Sequence, residues 1–119
     1  MAIKLAEDGA MFGLLHFCPY PERGERVCIG IWWDDGRRLS VEYDEKLRQV
    51  RCVAPEFDLN LLRVVLDDLN ESLGKVGHSE GQRILRQYGP QFLSTEGRRL
   101  LVPLAPDVQA RLKKKLLAL

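Results

Sequence analysis

The chain has 119 residues with 18 basic and 17 acidic side chains, a formal charge of +1, so gripping nucleic acid would need a local basic patch. Its apolar fraction of 45% and charged fraction of 29% exclude a disordered chain, and its length suits a single globular domain over residues 1–119. No apolar run approaches the roughly 20 residues of a membrane span, the MAIKLAEDGAMF start has no signal-peptide pattern, and Cys18, Cys28 and Cys52 are too few and too scattered for a disulfide scaffold. A reduced, cytoplasmic protein is expected.

Residues 1–10 read as a lead-in with a turn at Asp8-Gly9. Residues 11–18 form an apolar run halted by Pro19, which lacks the backbone donor a central strand needs, and this predicts a first strand. A connection rich in Pro, Gly and charge follows. It leads into VCIGIWW at 27–33, whose β-branched and aromatic content predicts a second strand. Asp34-Asp35-Gly36-Arg37 tolerates positive φ and predicts a tight hairpin into an antiparallel third strand at 39–43. Unbroken alternation places Leu39, Val41 and Tyr43 on a core face with Val27, Ile29, Ile31 and Trp33. It turns Cys28, Gly30 and Trp32 the other way.

Asp44 is placed to cap a short helix over 45–50, with 51–55 breaking the pattern. Between the cap Asp58 and Gly74, the residues Leu62, Val65, Leu66, Leu69 and Leu73 follow one helical stripe. Asn60, Arg63, Asp67, Asn70 and Glu71 fall on the opposite face, Arg63 and Asp67 at ion-pair spacing. Ser79 and Gln82 match a capping box and predict a helix over 80–87. Residues 95–98 resemble a hairpin turn between extended pieces at 91–94 and 99–102. Pro106 opens a last helix with Val108, Leu112, Leu116 and Leu119 on one stripe. These elements make an α+β fold, an antiparallel sheet of three N-terminal strands and a C-terminal hairpin packed against helices.

Three short motifs stand close together in the first half: Pro21-Glu22-Arg23-Gly24-Glu25, Val27-Cys28-Ile29-Gly30-Ile31 and Asp35-Gly36-Arg37-Arg38-Leu39. Over roughly residues 12–43 the chain resembles the uncharacterised bacterial family catalogued as domain of unknown function 3037. Cys28 stands where that family has Asn. The resemblance implies a fold and no agreed activity. Because genes of that family often neighbour one for a HipA-like kinase, it also implies a protein partner of that kind.

Little in the sequence announces chemistry. His16, Cys18, Cys28 and Cys52 lack the closely spaced ligand pairs of a zinc site, so buried thiols and no metal or cofactor are expected. Gly74-Lys75-Val76-Gly77 lacks phosphate-loop spacing. The loop carrying Arg23 and Glu25 reads either as a partner-reading loop or as a solvated turn with internal salt bridges. Adjacent Trp32 and Trp33 must leave opposite faces of their strand. An outward Trp32 beside Gly30 would form an apolar hollow for a partner, and the competing reading has a helix covering it. Arg111, Lys113, Lys114 and Lys115 concentrate positive charge on the last helix, either as a phosphate contact or as an ordinary solvated face complementing the helix dipole.

The reading that follows is a non-enzymatic protein-binding or regulatory module of a bacterial cytoplasmic system, contacting its partner through Trp32, Gly30, Arg23 and Glu25. The alternatives are a nucleic-acid-associated protein using Arg111 and Lys113 to Lys115, or a phage- or plasmid-type inhibitor of a host protein. An enzyme would require His16, Cys18 or His78 to meet in one pocket.

Overall fold

The computed structural model describes residues 11–89, 91–95, 97–99 and 106–117. Strands β1 (Met11–Phe17), β2 (Val27–Asp34) and β3 (Leu39–Tyr43) are followed by helices α1 (Arg48–Val53), α2 (Leu59–Gly74) and α3 (His78–Arg86). Two short strands, β4 (Phe92–Ser94) and β5 (Arg98–Arg99), and helix α4 (Pro106–Leu116) complete the order. The expected α+β fold with an antiparallel sheet is present, in the order β3-β2-β1-β4. The lead-in at 1–10, the end of the last expected strand at 100–102 and Leu119 lie outside the described residues.

One departure from regular pairing organises the sheet. Leu15 faces Gly30 but the next residue, His16, faces Cys28, so Ile29 is an extra residue in β2. Such a β-bulge puts two consecutive side chains on one side and reverses the alternation beyond it. Val27 and Ile29 therefore share a core with Trp32, Leu39 and Val41, while Ile31 and Trp33 belong to a second core with Leu117. This corrects the alternation read straight through β2: Trp32 pairs with Val41 and Gly30 with Tyr43, and Trp33 sits opposite Ser40. Both tryptophans are 1% exposed, one on each face of the sheet.

The Trp32 ring has room because its cross-strand partner is Gly13. A Cβ on Gly13 would lie 2.5 and 2.6 Å from indole carbons, and one on Gly97 would come 2.7 Å from the ring's far edge. Two glycines thus clamp the indole from two strands. Gly30 is equally constrained, since a Cβ there would meet the Glu42 carbonyl at 2.6 Å.

On this face α2 supplies Leu62, Leu66, Leu69 and Leu73, all buried, along the expected stripe. Each is worth roughly 1.5–3 kcal/mol relative to exposure. Asp58 caps the helix as expected, accepting from the Asn60 and Leu61 amides at 3.1 Å each. The helix lies along the edge strand β3, and this overturns the solvent-facing assignment of Asn70. Its amide accepts from Val41 N at 2.7 Å and donates to Val41 O at 2.6 Å, filling the outward backbone groups of an edge strand. Arg63 and Asp67 do not pair: Arg63 donates to the Glu45 carbonyl and to Asn60, and Asp67 accepts from the Tyr43 hydroxyl.

Two helix starts also differ from expectation. Asp44 does receive backbone amides, but from Lys46 and Arg48, so α1 begins later than predicted, after Leu47 in a left-handed conformation with φ 47°. The Ser79 capping box does not form; Gly77 is the N-cap of α3, and Gln82 turns instead toward Asp34.

The expected C-terminal hairpin is replaced by one interrupted strand. β4 pairs with Leu15 to Phe17 and β5 with Met11 and Phe12, both antiparallel to β1 and running in the same direction. Thr95 bridges them: its amide donates to Leu14 O at 2.9 Å and its hydroxyl accepts from Leu14 N at 2.7 Å. On the opposite face α4 covers Ile31 and Trp33 with Leu112, Leu116 and Leu117. The sheet is therefore a middle layer, buried on both sides around β2.

Gly13→Ala is expected to lower stability by about 1–3 kcal/mol, the usual range for overpacking. Asn70→Ala should cost about 1–3 kcal/mol by stranding two backbone groups. Shifts in urea midpoint at unchanged slope check both.

Candidate functional site

The residues nominated from the sequence are dispersed by the fold. Trp32 and Gly30 share a face, as expected, but both are buried and form no open hollow, because the bulge sends them under the helical layer. Arg23 and Glu25 are exposed on a 3-10 turn, Pro21–Arg23, ended by Gly24 at φ 73°. Among the described residues this loop has none of the internal salt bridges expected of it. Arg23 stacks over the Tyr20 ring at 4.5 Å, and the Tyr20 hydroxyl donates to Glu56, which holds the Glu56 carboxyl below its ordinary range.

The basic helix is partly neutralised. Arg111 pairs with Asp107 at 3.1 Å and Lys113 with Glu42 of β3 at 3.6 Å, leaving Lys114 and Lys115 exposed on α4. Two cations left without an ion pair among the described residues make a weak phosphate grip.

His16, Cys18 and His78 do not meet. His16 lies opposite Cys28 on the α4 side of the sheet, Cys18 lies just past the end of β1, and His78 stands at the start of α3. Burial, then Arg26, pushes the His16 imidazole below its ordinary value, and its Nδ1 has no partner. Burial pushes the Cys28 thiol up, although it donates to Gly30 O at 3.7 Å. All three cysteines are free, and among the described residues no three His, Cys, Asp or Glu side chains gather as a metal site.

The fold does build one site that those readings missed. At the end of β2, beyond the bulge, Asp34 points to the helical side and is only 2% exposed. Its Oδ1 accepts from Gly36 N at 2.8 Å, and its Oδ2 accepts from Gln82 Nε2 at 3.4 Å and lies 3.4 Å from His78 Nδ1. A buried carboxylate requires such partners. Asp34 thereby ties the β2-β3 turn to α3.

Beside this knot opens a cavity of about 560 Å³, lined on one side by His78, Ser79, Gln82 and Arg86 of α3. Those four positions fall on one stripe of the helix, while Gly81 and Leu85 turn into the core. The opposite wall is Ser94, Thr95 and Gly97 along the outer strand, with half-buried Met11 beside it and the buried Trp32 ring behind. The Trp32 indole N–H is buried without an acceptor. Arg86 is exposed at the mouth, and no described carboxylate pairs with it.

The sequence did carry a signal for this stripe, in the spacing of His78, Gln82 and Arg86 at four-residue intervals. It was masked by the capping-box pattern that Ser79 and Gln82 share. The other wall was illegible, because it depends on β4 and β5 pairing with β1.

The thiols provide a direct check on the burial pattern. Exposed Cys52 should react with a disulfide reagent at neutral pH well before Cys28, whose reaction should rise only at more alkaline pH. Equal rates, resolved by mass spectrometry of the labelled peptides, would contradict the placement of Cys28 under α4.

Among the described residues no helix is long and apolar enough to cross a membrane. The chain matches no family model, no curated protein and no solved structure.

Proposed function

We propose that this chain is a recognition module that binds another protein at the cavity beside α3 and performs no catalysis. One observation supports the reading above others: the cavity's carboxylate is engaged by three groups, while most of its donors are uncommitted. Hydroxyls of Ser79 and Ser94, the Arg86 guanidinium and the Trp32 N–H have no acceptor among the described residues. Ser79 and Arg86 are exposed and meet water, whereas Ser94 is half-buried and the Trp32 N–H buried, and donors of this second kind are stabilised when a bound molecule supplies acceptors.

A hydrolase reading draws on the same Asp34 and His78 pair, since a carboxylate beside an imidazole orients a general base. A covalent mechanism would also need a nucleophile hydrogen-bonded to that imidazole, and no described side chain fills this role. Binding uses every feature present without requiring one more. A bacterial setting and a HipA-like kinase partner remain parts of the proposal through the resemblance at 12–43 alone, and a cytoplasmic one through the unpaired cysteines.

The test is co-purification from the protein's own cell with three tagged forms: wild type, Ser79→Trp and the double variant Lys114→Ser, Lys115→Ser. Ser79 is exposed, so the tryptophan fills the cavity mouth without entering the core. Its melting curve should match wild type. Loss of the specific partner by Ser79→Trp alone is the expected result. Retention by that variant would displace the site, and loss by the lysine variant would favour a contact through α4.

A further inference from the structure

We infer that the cavity beside α3 is built for a carboxylate carried on an apolar body, the free C-terminal end of a partner's chain. This rests on the cavity being the binding site and adds the chemistry of what enters it.

The Ser79, Ser94 and Thr95 hydroxyls and the Arg86 guanidinium line one space of about 560 Å³, and the Trp32 ring lies buried beside it with its N–H unpartnered. The Thr95 oxygen already accepts from Leu14 N, which leaves its hydrogen free to donate outward. Asp34, the one carboxylate in the described lining, is filled by the Gly36 amide, Gln82 and the neighbouring His78. A ligand therefore meets donors, and acceptor oxygens satisfy them. Arg86 adds a full charge and a planar fork that matches a carboxylate with two parallel hydrogen bonds.

Charge then narrows the class. Arg86 is the one permanent cation among the described lining residues, and Asp34 places a negative group in the same cavity. The one guanidinium can pair with one entering carboxylate, and the charge then left over is that of Asp34, which the Gly36 amide and Gln82 already stabilise. A doubly charged phosphate would need a second cation to offset its own desolvation and its repulsion from Asp34. The remaining wall, Met11 and the Trp32 ring beside Gly97, offers nothing polar except the indole N–H and suits an apolar substituent next to the charged group.

The Trp32 indole N–H is a convenient reporter, because its proton signal in a two-dimensional nitrogen-correlated NMR spectrum shifts when the cavity beside the ring is filled. The probes are N-acetylleucine, its amide, acetate, inorganic phosphate and a hexapeptide with a free C-terminal leucine. N-acetylleucine should shift the Trp32 indole and the Ser79, Gln82 and Arg86 amides with affinity on the order of millimolar, as suits so small a ligand.

The amide, acetate and phosphate should bind at least about tenfold more weakly, as should N-acetylleucine to Arg86→Gln, for loss of a charge-assisted contact. Tighter binding of the hexapeptide than of N-acetylleucine supports a chain end, and equal binding assigns the site to a small acid and overturns the inference. The inference is overturned if the amide or phosphate binds as well as the acid, if Arg86→Gln binds unchanged, or if no probe moves these signals. Partner capture that is still lost in Ser79→Trp would, in that event, leave the binding site standing and remove only its carboxylate chemistry.

Discussion

The extra residue Ile29 in β2 is the constraint on which the rest of the structure depends. Without it, the seven-residue run from Val27 to Trp33 would present one apolar face and one mixed face, and a single helical layer would suffice. With it, the first half of the strand feeds the α1 to α3 side through Val27 and Ile29. The second half feeds both sides, through Trp32 and Asp34 on one and through Ile31 and Trp33 on the other. A strand buried on both faces needs cover on both, and α4 supplies the second layer. The bulge also turns the Asp34 carboxylate inward, where it would be intolerable unless the hairpin turn and α3 provided partners.

The candidate site follows from this geometry. Trp32 lies flat over Gly13 because its partner on β1 has no side chain, and the outer strand is held past it by the two hydrogen bonds between Thr95 and Leu14. Asp34 draws the start of α3 toward the end of β2, and the helix then presents His78, Ser79, Gln82 and Arg86 across the gap. The cavity is the space left between a helix anchored at one end by a carboxylate and a strand anchored by a threonine. Its walls come from residues far apart in sequence, as befits a site held by a scaffold.

Local signals in the sequence located the elements well where each depends on its neighbours. The stop at Pro19, the Asp58 cap, the leucine stripe of α2 and the turn at Gly36 all appear where their residue types place them. What was not legible is what a local pattern cannot carry. A bulge changes parity with only a faint residue signature, here Gly30 inside the strand pattern, since Ile29 is a normal strand residue. This one undetected insertion reversed the assignment of both tryptophans and moved the nominated surface into the core. Asn70 was misplaced for a related reason: on a helix it resembles any solvated polar residue, and only the edge of β3 beside it gives its amide two backbone partners. The pairing of β4 and β5 with β1 is likewise a long-range choice that a Thr-Glu-Gly-Arg turn motif does not reveal.

The account's central claim is that the bulge divides Trp32 and Trp33 between two cores. Nuclear Overhauser contacts from the two indole rings test it most directly, because each ring reports the face it occupies. The account predicts contacts from the Trp32 ring to the Met11 methyl and the Gly13 and Gly97 α-protons, and from the Trp33 ring to Phe12 and Leu117. Contacts from the Trp32 ring to Leu117, or from Trp33 to the leucines of α2, would show regular alternation through Ile29 and contradict it.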